Sequence, residues 1–169
     1  MKGRVLGVDY GERRIGTAVS DPTGTIASPL AQITHRGLAD AVDRLALVVQ
    51  NEEVIGVVFG DPRHMSGEPG AGSAVVLEVA SRLAARLEQP VWLWDERLSS
   101  VAAEAALREG GLRGPALRQR IDVVAAALIL QSFLDAHREV PPPPGVRPGT
   151  GPGSDAAGGA AAPANGGEG

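Results

Sequence analysis

Cysteine is absent from this sequence of 169 residues, and its absence excludes disulfide bonds and thiolate metal sites. A chain without disulfides fits a reducing compartment. A long apolar run is also missing: the first residues, Met-Lys-Gly-Arg, precede a strand pattern and not the apolar core of a signal peptide, and no segment is long enough to span a bilayer. We therefore expect a cytoplasmic protein that makes no contact with membranes.

An excess of positive charge is missing as well. Sixteen Lys and Arg residues stand against 20 Asp and Glu residues, which gives a net charge of −4. Because a basic footprint is the usual signature of nucleic-acid binding, this balance weakens a nucleic-acid hypothesis without excluding it. Carboxylates gathered around divalent cations would explain part of the acidic excess, since a bound cation inverts the local charge balance.

The apolar pattern predicts one α/β domain followed by a disordered tail. Residues 5–8 and 15–19 predict a β-hairpin, and residues 25–34, interrupted by Pro29, predict an edge strand. Next come a helix over 38–52, a strand over 54–59, a helix capped by Ser73 and closed by Pro90, and a strand over 91–94. Two helices follow, one over 99–109 and a last one that begins near Ile121. The last helix is predicted to bury Val124, Leu128, Leu130, Phe133 and Leu134. Crossover helices make the fourth and fifth strands parallel, so the fold class is a five-stranded mixed sheet flanked by helices. Residues 141–169, rich in Pro, Gly and Ala, predict a disordered tail beyond a domain of residues 1–140.

Acidic residues mark the carboxyl ends of the strands that are predicted to be parallel. Asp9 ends the first strand, Asp61 follows the fourth, and Asp95 with Glu96 follows the fifth. In open α/β sheets, sites form outside these strand ends. Taken alone, Asp9 is explained equally well as a metal ligand and as a turn residue, because Asp is common in turns.

Asp122 is a further candidate because it opens an otherwise apolar helix. Negative charge in a first turn also offsets the helix dipole, and for Asp122 alone this explanation has equal weight. A carboxylate cluster without Cys favours hard cations, Mg²⁺ or Mn²⁺. Two such ions can clamp the attacking and leaving oxygens of a phosphodiester, and Arg13, Arg14 and Arg97 could hold its phosphates.

Four motifs follow one another along the chain. They are Asp9-Tyr10-Gly11-Glu12-Arg13-Arg14-Ile15-Gly16, then Gly60-Asp61-Pro62, then Asp95-Glu96-Arg97-Leu98-Ser99-Ser100-Val101, then Asp122-Val123-Val124-Ala125-Ala126-Ala127 with Leu130-Gln131-Ser132. Together they resemble the YqgF/RuvX family over residues 3–138. The resemblance implies an RNase H-like fold and a metal-dependent nuclease, in a family regarded both as processing factors for small-subunit rRNA precursors and as Holliday junction resolvases.

The resemblance also implies roles for individual residues. The family's acidic positions, which act as catalytic residues and as ligands for two Mg²⁺ or Mn²⁺ ions, fall on Asp9, Glu96 and Asp122. Three arginines would contact the substrate or support these ligands: Arg13, Arg14 and Arg97.

The sequence departs from the family pattern after the fourth strand. The usual Gly-Leu-Pro reads Gly60-Asp61-Pro62, and the later acidic position is Ser66. Asp61, like Asp95, is a possible extra ligand, and it is equally a possible turn residue. His64 either carries a proton or is a solvated loop residue.

Four functions remain open. The first is an endonuclease that matures the 5′ end of small-subunit rRNA, with precursor rRNA or the small-subunit precursor as partner. The second is a resolvase of branched DNA, which would act as a homodimer because it must make paired cuts. ATP binding, as in the sugar kinase and actin group, needs two copies of the fold, and this chain has room for one. A scaffold that only binds RNA is disfavoured by the intact set of carboxylates.

Overall fold

The computed structural model describes residues 1–62, 70, 72–95, 105, 109–111 and 113–146, without the side chains of residues 117 and 118. Its elements are β1 (Val5–Tyr10), β2 (Arg14–Ser20), β3 (Ala27–Thr34), α1 (Leu38–Glu52), β4 (Gly56–Asp61), α2 (Ser73–Ala84), β5 (Val91–Asp95) and α3 (Gly114–Ala136). Most of the helix predicted over 99–109 lies outside the described residues. Within those residues, no helix is both long and apolar enough to cross a membrane.

The five strands form one mixed sheet in the order β3-β2-β1-β4-β5. β2 pairs antiparallel with β1 and β3, whereas β4 pairs parallel with β1 and β5. The predicted edge strand is confirmed, and Pro29 is tolerated there because only one side of β3 forms a ladder. The pairing of β2 with β3 shifts its register between Thr17 and Ala18, and Ala18 is the partner of Pro29.

Alternating side chains divide the core between the two faces of the sheet. Leu6, Val8 and Phe59 pack with α1 and α2 on one face, which we call the α1/α2 face. Val5 and Val58 pack with α3 on the opposite face, which we call the α3 face. Because β4 is covered on both sides, it is apolar at nearly every position.

Two glycines let α3 approach the sheet closely. A Cβ atom on Gly16 would lie 1.9 Å from the carbonyl oxygen of Asp122, and one on Gly7 would lie 2.7 Å from Cβ of Leu130. Any larger residue at either position would push α3 away from β1 and β2. The absence of these two side chains therefore determines where α3 crosses the sheet.

Helix α3 begins seven residues earlier than the sequence predicted. Its first turn contains Pro115, which the first turn of a helix tolerates because the missing N–H would have no helical partner there. Part of the predicted arginine-rich connector is therefore helical. The predicted burial of Leu128 is wrong, since it is 38% exposed, and Val124 is only partly buried. Ile129, the next residue of α3, is buried instead.

The boundaries of α2 and β4 also differ from the prediction. The residue before α2 is Gly72, so Ser73 lies inside the helix and does not cap it. The same helix ends at Ala84, well before Pro90. Strand β4 begins at Gly56, two residues after the predicted start.

The proline-rich segment over residues 141–146 lies against β5, where disorder was predicted. The backbone N–H of Val146 donates to the carbonyl oxygen of Val91 at 2.7 Å, and Nε1 of Trp92 donates to the carbonyl oxygen of Pro143 at 2.8 Å. The first contact satisfies a backbone carbonyl at the edge of β5, which would otherwise be open to pairing with another chain, and the second satisfies the indole N–H of Trp92. Residues 147–169 lie outside the described part of the chain.

Candidate active site

Two of the predicted acidic residues, Asp9 and Asp122, lie on the same side of the sheet. Asp9 on β1 pairs with Gly16 on β2, and Gly16 pairs with Gln32 on β3. Asp9 follows Gly7 by two residues and therefore shares its α3 face. Above this row, the backbone of Asp122 lies over Gly16. The close approach of α3 thus places Asp9, Gln32 and Asp122 on the same side of the sheet.

Asp9 is the most strongly perturbed acid at this site. Burial, and secondarily the negative charge of Asp122, raise the pKa of Asp9 from 3.8 to about 7. The carboxyl group therefore changes its protonation state near neutral pH. A divalent cation beside it would favour the ionised form, because the cation would offset both causes of the raised pKa.

Asp122 is held through one of its two carboxylate oxygens. Nε2 of Gln32 donates to Oδ2 at 2.7 Å, and Nε of Arg14 lies 3.9 Å from the same oxygen. The side chain of Arg14 is 45% exposed and that of Asp122 is 23% exposed, so the ion pair is screened by solvent and contributes little. Among the described residues, no donor contacts Oδ1 of Asp122. The amide of Gln32 is therefore its principal partner.

The position of Asp122 in α3 removes the alternative that the sequence left open. Asp122 is the ninth residue of the helix, because α3 begins at Gly114. The favourable interaction of an acid with the helix dipole falls off within the first turn. That effect therefore does not explain an acidic residue at this place.

The two possible extra ligands lie on the opposite face. Asp61 is only 4% exposed, and Oγ of Ser73 on α2 lies 2.6 Å from its Oδ1. Asp95 follows Leu93 by two residues, and Leu93 packs in the core beside α1 and α2. Alternation along β4 and β5 therefore places both acids on the α1/α2 face, and the structure does not bring them to Asp9.

The turn between β1 and β2 carries Arg13 and is tied to the start of α1 by His35. The ring of His35 is buried, and its Nε2 donates to the carbonyl oxygen of Gly11 at 2.7 Å. The backbone N–H of Gly37 lies 3.3 Å from Nδ1 of the same ring. The backbone N–H of His35 also donates to the carbonyl oxygen of Arg13 at 3.0 Å. This turn is therefore fixed, while the side chain of Arg13 is exposed.

Sequence reasoning missed both Gln32 and His35. Neither belongs to one of the four motifs, and each acts through a partner distant in the chain. For Gln32 the sequence gives no usable signal, because the register set at Ser20 and Ala27 would place Ala31 beside Gly16, and the shift between Thr17 and Ala18 brings Gln32 there instead. For His35 we find no signal in the sequence.

The remaining predicted site residues are Glu96, Arg97 and His64, and they lie outside the described residues. Within the described part of the chain, no group of three or more His, Cys, Asp or Glu residues could hold a metal ion. It does supply two neighbouring carboxylates, Asp9 and Asp122. Mg²⁺ commonly binds through one or two carboxylates together with water and substrate phosphates, so this donor set fits such an ion.

Comparison with known proteins identifies a family. The model of the RuvX family, described as Holliday junction resolvase, matches residues 3–136. A protein of Chloroflexus aurantiacus named "Putative pre-16S rRNA nuclease" is 44% identical over 137 residues, which cover 81% of this chain and 90% of that protein. Proteins of the same name from Chloroflexus aggregans and Mycobacterium sp. (strain KMS) are 45% identical over 134 residues (79% of this chain, 94% of the relative) and 41% identical over 146 residues (85% and 86%).

Solved structures agree on the fold. The structure of T. thermophilus RuvC in complex with a Holliday junction substrate superimposes with a TM-score of 0.55 at 18% identity, covering 83% of this chain and 99% of that one. A second structure of Thermus thermophilus RuvC gives a TM-score of 0.50 at 17% identity, covering 80% and 96%. At these identities the likeness shows the fold alone, and it confirms the predicted RNase H-like class. With the family model spanning most of the sequence and relatives more than 40% identical, this chain belongs to the RuvX family.

Proposed function

We propose that this chain is a nuclease that depends on a divalent metal and hydrolyses phosphodiester bonds at the 5′ end of precursor small-subunit rRNA. The names of its relatives support the substrate, since these relatives match about four fifths of this chain. The observation that carries the chemistry is the pairing of Asp9 and Asp122 on the α3 face, with the pKa of Asp9 raised to about 7. Two carboxylates this close, in a poorly solvated place, are a receptor for positive charge.

Asp9 and Asp122 would hold Mg²⁺ or Mn²⁺ from β1 and α3. We expect the third ligand to be Glu96 and not Asp95, because Asp95 shares the α1/α2 face with Leu93. A bound cation would stabilise charge on the phosphodiester and activate the attacking water.

The arginines at this end of the sheet have a separate part in the proposal. Arg14 is half-exposed beside Asp122, and Arg13 is exposed in the turn that His35 fixes. Together with Arg97 they would bind phosphates that flank the scissile bond, because a guanidinium can donate two parallel hydrogen bonds to a phosphate. The proposal therefore separates metal ligands on the α3 face from phosphate-binding groups in the turns.

Resolution of Holliday junctions is the second candidate, and the description of the family model favours it. A resolvase must present two active sites to one junction, so this candidate requires a homodimer. Symmetric nicking of a junction by a dimer would distinguish it from cleavage of precursor rRNA by a monomer.

The test compares both substrates side by side. Precursor rRNA 5′ ends and synthetic four-way junctions are incubated with Mg²⁺, with Mn²⁺ or with EDTA. Asp9→Asn and Asp122→Asn should lose about 100-fold or more of the cleavage rate. The control is Asp43→Asn, because Asp43 is exposed on α1 and pairs only with Arg86 among the described residues.

Three outcomes would contradict the proposal. Full activity of Asp9→Asn would refute the assignment of the site. Cleavage that persists in EDTA would refute the metal dependence. Nicking of junctions without any cleavage of precursor rRNA would replace the first candidate with the second.

A further inference from the structure

We infer that Gln32 is a positioning residue that orients Asp122 toward a metal ion. It binds Oδ2 of Asp122 and thereby leaves Oδ1 as the oxygen available to a cation. This inference rests on the proposed function, because it takes Asp122 as a metal ligand.

The register of the sheet sets the direction from which Gln32 reaches Asp122. Gly16 lies between Gln32 and Asp9 in one row of paired residues, so Gln32 and Asp9 are two strands apart, roughly 10 Å. The backbone of Asp122 lies over Gly16, the middle position of this row. Gln32 therefore approaches Asp122 from the β3 side, whereas Asp9 lies on the β1 side.

The contacts of Asp122 agree with this direction. Both of its partners among the described residues meet Oδ2: Nε2 of Gln32 at 2.7 Å and Nε of Arg14 at 3.9 Å. No described donor meets Oδ1. A carboxylate held through one oxygen loses rotational freedom about its last bond, and its other oxygen is left pointing in a defined direction.

The neutral amide of Gln32 suits this role better than a cationic side chain would. An amide donor fixes the carboxylate without cancelling its charge, so the negative potential that attracts a divalent cation is retained. A lysine or arginine at the same distance would compete with that cation. Partners that orient metal ligands in this way typically contribute about 10- to 100-fold to metal affinity.

The test measures binding of Mn²⁺ to the full chain by calorimetry, without nucleic acid. Gln32→Leu removes the donor at similar volume, and Gln32→Asn retains an amide that is one methylene too short to reach. Both should weaken Mn²⁺ binding by about 10- to 100-fold. The matched control is Gln50→Leu, because Gln50 is exposed on α1, and it should bind within about twofold of the wild type.

A double variant separates positioning from a general effect on the fold. If Gln32 acts only through Asp122, then Gln32→Leu combined with Asp122→Asn should bind Mn²⁺ no more weakly than Asp122→Asn alone. Additive losses in the double variant would overturn the inference. So would wild-type affinity in both Gln32 variants while Asp122→Asn binds Mn²⁺ more weakly than the wild type.

Failure of the proposed function has a different signature. If Asp122→Asn itself binds Mn²⁺ as tightly as the wild type, Asp122 is not a ligand and the assignment of the metal site is wrong. In that case the Gln32 inference falls with it. The three sets of variants therefore distinguish an error about Gln32 from an error about Asp122.

Discussion

Replacing Asp9 with asparagine should stabilise the metal-free protein at neutral pH, and this gain should disappear in acid. Burial, and then the charge of Asp122, raise the pKa of Asp9 from 3.8 to about 7. The folded state therefore binds the proton of Asp9 more tightly than the unfolded chain does. As the pH rises from about 4 to about 7, ionisation of Asp9 increasingly opposes folding, and above pH 7 the full penalty applies. Asparagine cannot ionise and escapes this penalty.

The size of the effect follows from the difference in pKa. A difference of about 3 pH units, at about 1.4 kcal/mol for each unit, corresponds to about 4 kcal/mol of lost stability. The amide of asparagine must find hydrogen bonds in the same place, which costs part of this gain. We therefore expect Asp9→Asn to raise the free energy of unfolding by about 2–4 kcal/mol at pH 8, and by less than about 1 kcal/mol at pH 3.5.

Urea denaturation in EDTA at the two pH values measures this difference, with tryptophan fluorescence as the signal. Trp92 and Trp94 both pack against Phe133 and will report the loss of the core beside α3. Asp43→Asn is the control, because this carboxylate is exposed on α1 and its replacement should matter little at either pH. A gain of equal size at both pH values, or no gain at pH 8, would refute the electrostatic reasoning.

Adding Mg²⁺ at pH 8 should remove most of the stability advantage of Asp9→Asn over the wild type. A cation that binds only the folded wild type stabilises it by about 2.7 kcal/mol at a concentration 100-fold above the dissociation constant. Asp9→Asn lacks the ligand and should gain almost nothing. If Mg²⁺ stabilised both proteins equally, Asp9 would not be a ligand.

Three further predictions concern the scaffold of the site. Gly16→Ala should lower the free energy of unfolding by about 3 kcal/mol or more in urea, because its Cβ would lie 1.9 Å from the carbonyl oxygen of Asp122; unchanged stability would contradict the close approach of α3. His35→Ala removes both ring hydrogen bonds to the turns and should cost about 1–3 kcal/mol in the same assay, while a neutral result would show that the turn does not need the ring. A chain that ends at residue 146 should melt like the full chain, whereas one that ends at residue 140 should melt several degrees lower; equal melting would show that residues 141–146 do not stabilise β5.

The local pattern of the sequence is sufficient to predict the hairpin and the sheet. Residues 5–8 and 15–19 are short apolar runs on either side of Gly11, and a hairpin follows from such a pattern without any knowledge of the rest of the chain. Strand β4 is predicted equally well, because a short run that is apolar at nearly every position is typical of a strand covered on both faces. The hairpin depends on residues close together in the sequence, whereas β4 is recognised from its apolar composition, since its partner strands β1 and β5 lie far from it along the chain.

The start of α3 was not predicted, because Pro115 has two opposite meanings. A proline ends a helix when it lies in the interior and begins one when it lies in the first turn. The exposed residues around Pro115 give no apolar pattern that would decide between the two. The error mattered for the site, since a helix that began near Ile121 left the dipole as a sufficient explanation of Asp122.

The choice among the acidic residues required knowledge of which face of the sheet carries the site. Alternation alone predicts that Asp9 and Asp61 point to opposite faces, because Gly7 and Phe59 do so in paired strands. It does not predict which of the two faces is functional. For the proposed site, the two glycines that admit α3 favour one face, since among the described residues it is on their side that a second carboxylate, Asp122, adds its charge to the effect of burial in raising the pKa of Asp9. In related sequences, the pattern to look for is therefore a pair of strand glycines together with an acidic residue on the helix that packs over them. Acidic residues at strand ends alone do not distinguish the two faces.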